Sequence, residues 1–338
     1  MHNIIEKTTK DLTMGTSSVL FNFTAPSTSI EYPQKTRFSG HLTLLFDINK
    51  TLIGFDKAGG KSIEQVILSS LSDKVMGVWD QSKQESMSYY DHCKYTLCGG
   101  DLKKFRAAKT SFDEKLFSEM ERIGHPEIKE MREIFLKSVQ TLKTLEENGH
   151  QVFPSFYNLI AYLEEQKIPY TLALRTFGSD TEEVRQEIVQ KTGLPIQEPV
   201  SITEEGVLII EGNKISIPDY LKMARDSKSH ASIQDHFPRW NNNGQKSEYG
   251  KPFPVDPTNE EDLTLFFDDN AMINPKSPEQ NIVHPYNVHT GKAISHQELI
   301  EGKQLFVVDT LEAIYSGNYY IDLVKEAMNA NISRKQAP

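Results

Sequence analysis

His41-Leu42-Thr43-Leu44-Leu45-Phe46-Asp47-Ile48-Asn49-Lys50-Thr51-Leu52 is the stretch on which the fold turns. Of the six residues from His41 to Phe46, five are apolar or β-branched, which predicts a buried strand that stops at Asp47. The same motif recurs downstream. Tyr170–Leu174 is a short apolar strand ending near Thr176, Leu263–Phe267 ends in Asp268-Asp269, and Leu305–Val308 is a last strand. Helical spacing lies between them, at Phe156–Gln166, at Thr181–Gln190 (closed by Gly193) and near Tyr319–Asn329. Strands alternating with helices predict an α/β fold, a Rossmann-like parallel sheet with helices on both faces. Ligands of such sheets bind at the carboxyl ends of the strands. Asp47, Thr176 and the Asp268-Asp269 pair all fall there.

The organisation outward from this core is less regular. Residues 1–39 carry Pro26 and Pro33 among many Ser, Thr, Lys and Asn, and read as a loosely packed arm with one short strand at Ser18–Phe23. Residues 61–149 are helical in pattern, at Ser62–Leu71, Phe112–Ile123 and Ile128–Leu145, and read as a helical insertion after the first strand that makes a separate subdomain. Gly54, Gly59 and Gly60 are either its hinge or an ordinary surface loop. Trp79, Tyr89, Tyr90 and Tyr95 read first as the core of this small unit, with stacking on a ligand ring as the alternative. Residues 40–60 and 150–330 make the α/β core. Within it, residues 194–250 are expected as a second insertion. It holds a hairpin, Val207–Ile210 with Lys214–Ile217, and a polar segment with His236, Arg239 and Trp240 that either covers the site or packs as a surface loop. Residues 331–338 are expected as a tail.

Bulk composition excludes some classes. The chain has 338 residues, 38% hydrophobic and 25% charged, enough to bury a core. A formal charge of −10 argues against a general nucleic-acid binder, which needs a basic face. No apolar run reaches the roughly 18–20 residues that a membrane span requires. No basic segment followed by an apolar core marks a secretory signal. Two cysteines, Cys93 and Cys98, read as reduced thiols, and a cytoplasmic location is expected.

The sequence then reaches a resemblance. Leu44-Leu45-Phe46-Asp47-Ile48-Asn49-Lys50-Thr51-Leu52 resembles the first motif of the haloacid dehalogenase (HAD) superfamily, an apolar strand followed by Asp-x-Asp-x-Thr. Thr171–Thr176 resembles the second motif, Lys251 in Gly250-Lys251-Pro252 the third, and Leu265–Asp269 the fourth. The resemblance implies a Mg²⁺-dependent hydrolase of the phosphatase type, with the insertion at residues 61–149 as its helical cap. Asp47 would be the nucleophile and would form an aspartyl-phosphate, Thr176 and Lys251 would bind phosphate, and Asp268 and Asp269 would serve the metal with Asp47 and the backbone carbonyl of Asn49. The implied partner is a small phosphorylated molecule; nothing in the sequence names a protein partner.

Two departures matter. Asn49 stands where phosphatases of this superfamily carry a second Asp that exchanges the proton with the leaving group. An amide cannot do this near neutral pH, and losing such a group costs on the order of 10²–10⁴ in rate. Three outcomes follow: a slow phosphatase or phosphotransferase, with an acid drawn from elsewhere such as Asp56; a different reaction on the same Asp47; or a non-catalytic or regulatory protein that binds Mg²⁺ and a phosphorylated ligand. Lys251, moreover, lies only seventeen positions before Asp268, with Lys222 and Lys246 as rivals. Arg175 is expected as a solvated strand-end charge.

Overall fold

In the computed structural model, residues 38–54, 62–272, 277 and 279–336 are described. The expected strand at Ser18–Phe23, together with Asp56, Gly59 and Gly60, lies outside them. Six strands form the main sheet: β1 (Leu42–Asp47), β2 (Tyr170–Thr176), β3 (Val200–Ser201), β4 (Ala231–Gln234), β6 (Leu263–Asp268) and β8 (Leu305–Val307). Their order is β8-β6-β1-β2-β4-β3, and every neighbouring pair is parallel. The α/β architecture with a parallel sheet is therefore as the sequence predicts.

Strand alternation divides the interior into two cores. Leu42, Leu44 and Phe46 of β1 face the first core, with Leu172, Leu174, Leu263, Leu265 and Phe267. Leu45, Ala173 and Phe266 face the second. On the first face Phe46, Phe267 and Phe306 form a ladder of parallel rings across three strands, at 4.4 and 5.0 Å, and Tyr320 meets Phe46 edge-on. This ladder sits one residue before Asp47. A slip of one residue in β1 would turn Phe46 out of the core and Asp47 away from its place.

Helices cover both faces. α5 (Pro154–Glu165), α6 (Thr181–Thr192), α10 (Thr310–Tyr315) and α11 (Tyr319–Gln336) supply buried residues to the first core. α7 (Ile217–Asp226) and α9 (His296–Glu301) supply the second, with the short α8 (Phe237–Asn242) between them in the chain. The second face also carries a two-stranded parallel ribbon, β5 (Lys251–Val255) with β7 (Val283–Asn287).

Several expectations need correction. Residues 194–250 are not a free insertion, because β3 and β4 extend the main sheet and α7 covers it. The hairpin is present as Leu208–Ile210 paired with Asn213–Ile215, and Glu211 and Gly212 take positive φ at its turn. Residues 331–336 are not tail, since α11 runs to Gln336. In the cap, α1 (Ile63–Lys74) starts with a Ser62/Gln65 capping box, and α4 (Ile128–Glu147) follows the expected pattern. The helix expected at Phe112–Ile123 is instead broken at Glu114-Lys115, between α2 (Leu102–Asp113) and α3 (Leu116–Arg122). The cap is not sealed off from the body. Its Ile67, Leu71 and Leu142 belong to the first core. Gly54 lies so close to Leu142 and Phe153 that a Cβ there would meet them at 3.1 and 3.3 Å. Trp79 and Tyr89 are buried core residues, whereas Tyr95 is exposed. Cys93 and Cys98 are free and buried.

Candidate active site

The first strand delivers Asp47 to the carboxyl end of the sheet, where its strand neighbour on β2 is Arg175. The chain then turns tightly, with Leu52 and Ile53 both donating to the carbonyl of Ile48. Lys50 takes a left-handed φ of 60° at this turn. Neighbouring elements pin the loop. Asp269 N–H donates to Thr51 Oγ1 at 3.2 Å, Thr310 Oγ1 donates to the Lys50 carbonyl at 2.7 Å, and Tyr320 donates to the Thr51 carbonyl. Asn49 is thereby held beside Thr176 and not left to solvent.

Lys251 enters from the other layer. It is the first residue of β5, it is 1% exposed, and its ammonium donates to Asp47 Oδ1 at 2.5 Å and Asp268 Oδ2 at 2.7 Å. Lys222 is an exposed side chain paired with Asp226, so it does not compete. Asp269 completes the group: one oxygen from each of Asp47, Asp268 and Asp269 lies within 4.8 Å of the others. Among the described residues the other cation paired with Asp269 is Lys50, 3.9 Å away and largely solvated. The electrostatics follow from crowding. Burial, then the charges of Asp268 and Asp269, push the Asp47 carboxyl well above its usual range, against the pull of Lys251. Burial and the Asp268 charge push Asp269 up to about 7. Burial works against the Lys251 charge, but Asp268 and Asp47 more than reverse it and hold its pKa up. An all-oxygen set of this kind, short of positive charge, suits a hard divalent cation.

Thr176 closes the other side. Its Oγ1 accepts from Gly178 N–H at 2.9 Å and from Asn49 Nδ2 at 3.4 Å, so neither bond uses its hydroxyl hydrogen. The Asn49 amide also donates to Asp180 Oδ2 at 3.2 Å. A Cβ on Gly178 would lie 2.9 Å from Asp180 Oδ2, 3.0 Å from Asn49 Nδ2 and 3.3 Å from Thr176 Oγ1. Three polar groups thus converge over a glycine that leaves the notch open. Asp47, Asn49, Thr176, Gly178 and Lys251 together line a cavity of about 280 Å³, and cap residues Val66, Ser69 and Ser70 complete its wall.

All six residues singled out in the sequence therefore meet at one edge of the sheet. Two others were misread or missed. Arg175 is not solvated: it is fully buried, grips Asp235 through Nε at 3.0 Å and Nη2 at 2.5 Å, and donates to the Pro252 carbonyl at 2.8 Å. It thereby ties β2 to the residue after Lys251. Asp180 was not singled out; its place four residues after Thr176, at the start of α6, was the available signal. The segment holding His236 and Trp240 stands behind the cavity, with Trp240 stacked on Phe177 at 5.5 Å. No protein-family model, curated protein or solved structure matches the chain. Among the described residues no helix is long and apolar enough to cross a membrane.

Proposed function

We propose that this chain is a Mg²⁺-dependent phosphoryl-transfer protein of the haloacid dehalogenase type, with Asp47 as its nucleophile. One observation carries the reading: a buried lysine bridges Asp47 and Asp268 at the carboxyl ends of adjacent strands, with Asp269 beside them. The carboxylates of Asp47, Asp268 and Asp269, with the Asn49 carbonyl, would hold the ion. Bound Mg²⁺ would neutralise charge on the phosphoryl oxygens and on the crowded acids. Lys251 exchanges a carboxylate oxygen for a phosphoryl oxygen, and the Thr176 hydroxyl donates to another. An Asp47 oxygen forms a bond to phosphorus as the bond to the alcohol oxygen breaks, and that oxygen leaves with a proton. Water then cleaves the aspartyl-phosphate and releases phosphate. Asn49 cannot carry the proton; in this reading Asp180, whose carboxyl group accepts from the Asn49 amide, carries it instead.

A second reading has its own support. The Asn49 amide is committed to Thr176 and Asp180, which suits a protein that binds Mg²⁺ and a phosphorylated ligand without turnover. Release of p-nitrophenol from p-nitrophenyl phosphate with Mg²⁺ separates the two. Wild type is expected to be slow, Asn49→Asp faster by about 10-fold or more, and Asp47→Asn inactive. Silence from all three, with Mg²⁺ binding retained, would hand the site to the binding reading.

A further inference from the structure

The cavity divides by chemistry. Beyond the polar groups over Asp47, Ile53, Val66, Phe177 and Ile282 give carbon to its wall, interspersed with Ser69, Ser70 and Asn270. Phe177 follows Thr176 directly, and its ring is buttressed. Trp240 stacks on it at 5.5 Å and 23°, Phe237 meets it edge-on at 5.7 Å, and the indole N–H of Trp240 is fixed on the Asn281 carbonyl at 2.9 Å. Lys251 Nζ lies 5.3 Å from the centroid of the same ring. A group attached to a phosphoryl oxygen held by Lys251 therefore begins within reach of the Phe177 ring.

Charge limits what that group is. Among the described lining residues the cations are Lys50 and Lys251. Lys251 is taken by two carboxylates, and Lys50 lies 3.9 Å from Asp269. Neither of these two is free of a carboxylate, and the three crowded carboxyl groups of Asp47, Asp268 and Asp269 repel a second anionic group on the ligand. Size limits it too. About 280 Å³ is just below the usual range for ligand pockets, roughly 300 to 1,000 Å³.

Resting on the phosphoryl-transfer reading, we propose that the site takes phosphate monoesters of small, uncharged alcohols carrying a flat apolar ring, with Phe177 as the specificity-determining wall. Substrates with a second phosphate or carboxylate are disfavoured.

Calorimetric titration of the full chain with Mg²⁺ and non-hydrolysable phosphonates tests this without depending on turnover. Benzylphosphonate should bind about tenfold or more tighter than methylphosphonate, and phosphonoacetate no tighter than methylphosphonate. Phe177→Ala should remove most of the benzyl preference. Phe177→Leu, which keeps the bulk but not the ring, should remove part of it and covers the case of an Ala variant that does not fold. Equal binding of the three probes by wild type, or tightest binding of phosphonoacetate, overturns the substrate class while the phosphoryl site stands. Benzyl preference retained in both variants overturns the role of Phe177. Binding of no phosphonate at all overturns the phosphoryl-transfer reading itself.

Discussion

Two buried ion groups lie within a few residues of each other at the carboxyl edge of the sheet, and they are built on opposite principles. Arg175 and Asp235 form a one-to-one pair, bidentate, with a third guanidinium N–H on a backbone carbonyl. Every charge there has its counter-charge, so the pair holds β2, β4 and the β5 ribbon in register and has no capacity left for a ligand. The Asp47 group sets three carboxyl groups against one buried ammonium. The first is closed structure. The second is unbalanced, and on the phosphoryl-transfer reading a cation would restore the balance.

The largest expected effect breaks the closed pair. Asp235→Asn or Arg175→Met should lower the free energy of unfolding by about 3–5 kcal/mol, because each leaves a buried charge alone. The double variant Arg175→Met with Asp235→Leu should recover most of that loss. Urea unfolding measures all three, and single variants as stable as wild type would remove the distinction drawn here.

The open group should respond with the opposite sign. Asp269 has a folded pKa raised to about 7. Its favourable contribution is present below the unfolded value near 3.8 and is lost as pH rises through about 7. Without divalent ions, Asp269→Asn should therefore stabilise the fold at pH 8, by on the order of 2–4 kcal/mol as an upper bound, and leave it unchanged near pH 3.5. A melting-temperature difference between variant and wild type that is flat with pH would contradict this.

The smallest effect comes from the guest itself. Mg²⁺ at tenfold excess over its Kd should add about 1–2 kcal/mol. The gain should be larger at pH 8 than at pH 5, where protons already relieve the crowding. Thermal melts at the two pH values check the order, and Asp268→Asn should weaken the response.

Much of this was legible in the sequence, for physical reasons. Asp47 and Asp268 terminate strands of dense apolar residues, and such strands announce themselves. Lys251 was found through the resemblance alone, because its strand carries Pro252 and Pro254, residues that argue against a central strand. They are tolerated because β5 pairs only with β7 in a ribbon outside the main sheet. Arg175 was misread because a strand-end cation looks solvated until its partner is known. That partner, Asp235, is sixty residues downstream and one strand over. β3 and β4 were hidden by their length, two and four residues. Asp180 carried no motif, and only the contact with Asn49 gives it meaning.

The ribbon origin of Lys251 has a further consequence. Asp47 and Lys251 are separated by 204 positions and by a layer of the fold. No contiguous fragment shorter than that span can contain the charge group, and forming the sheet alone would leave its acids facing one another without a base. Loop closure over such a distance is entropically slow to reward. The site is thus a property of two layers docked together, and its electrostatic balance reports whether they have met.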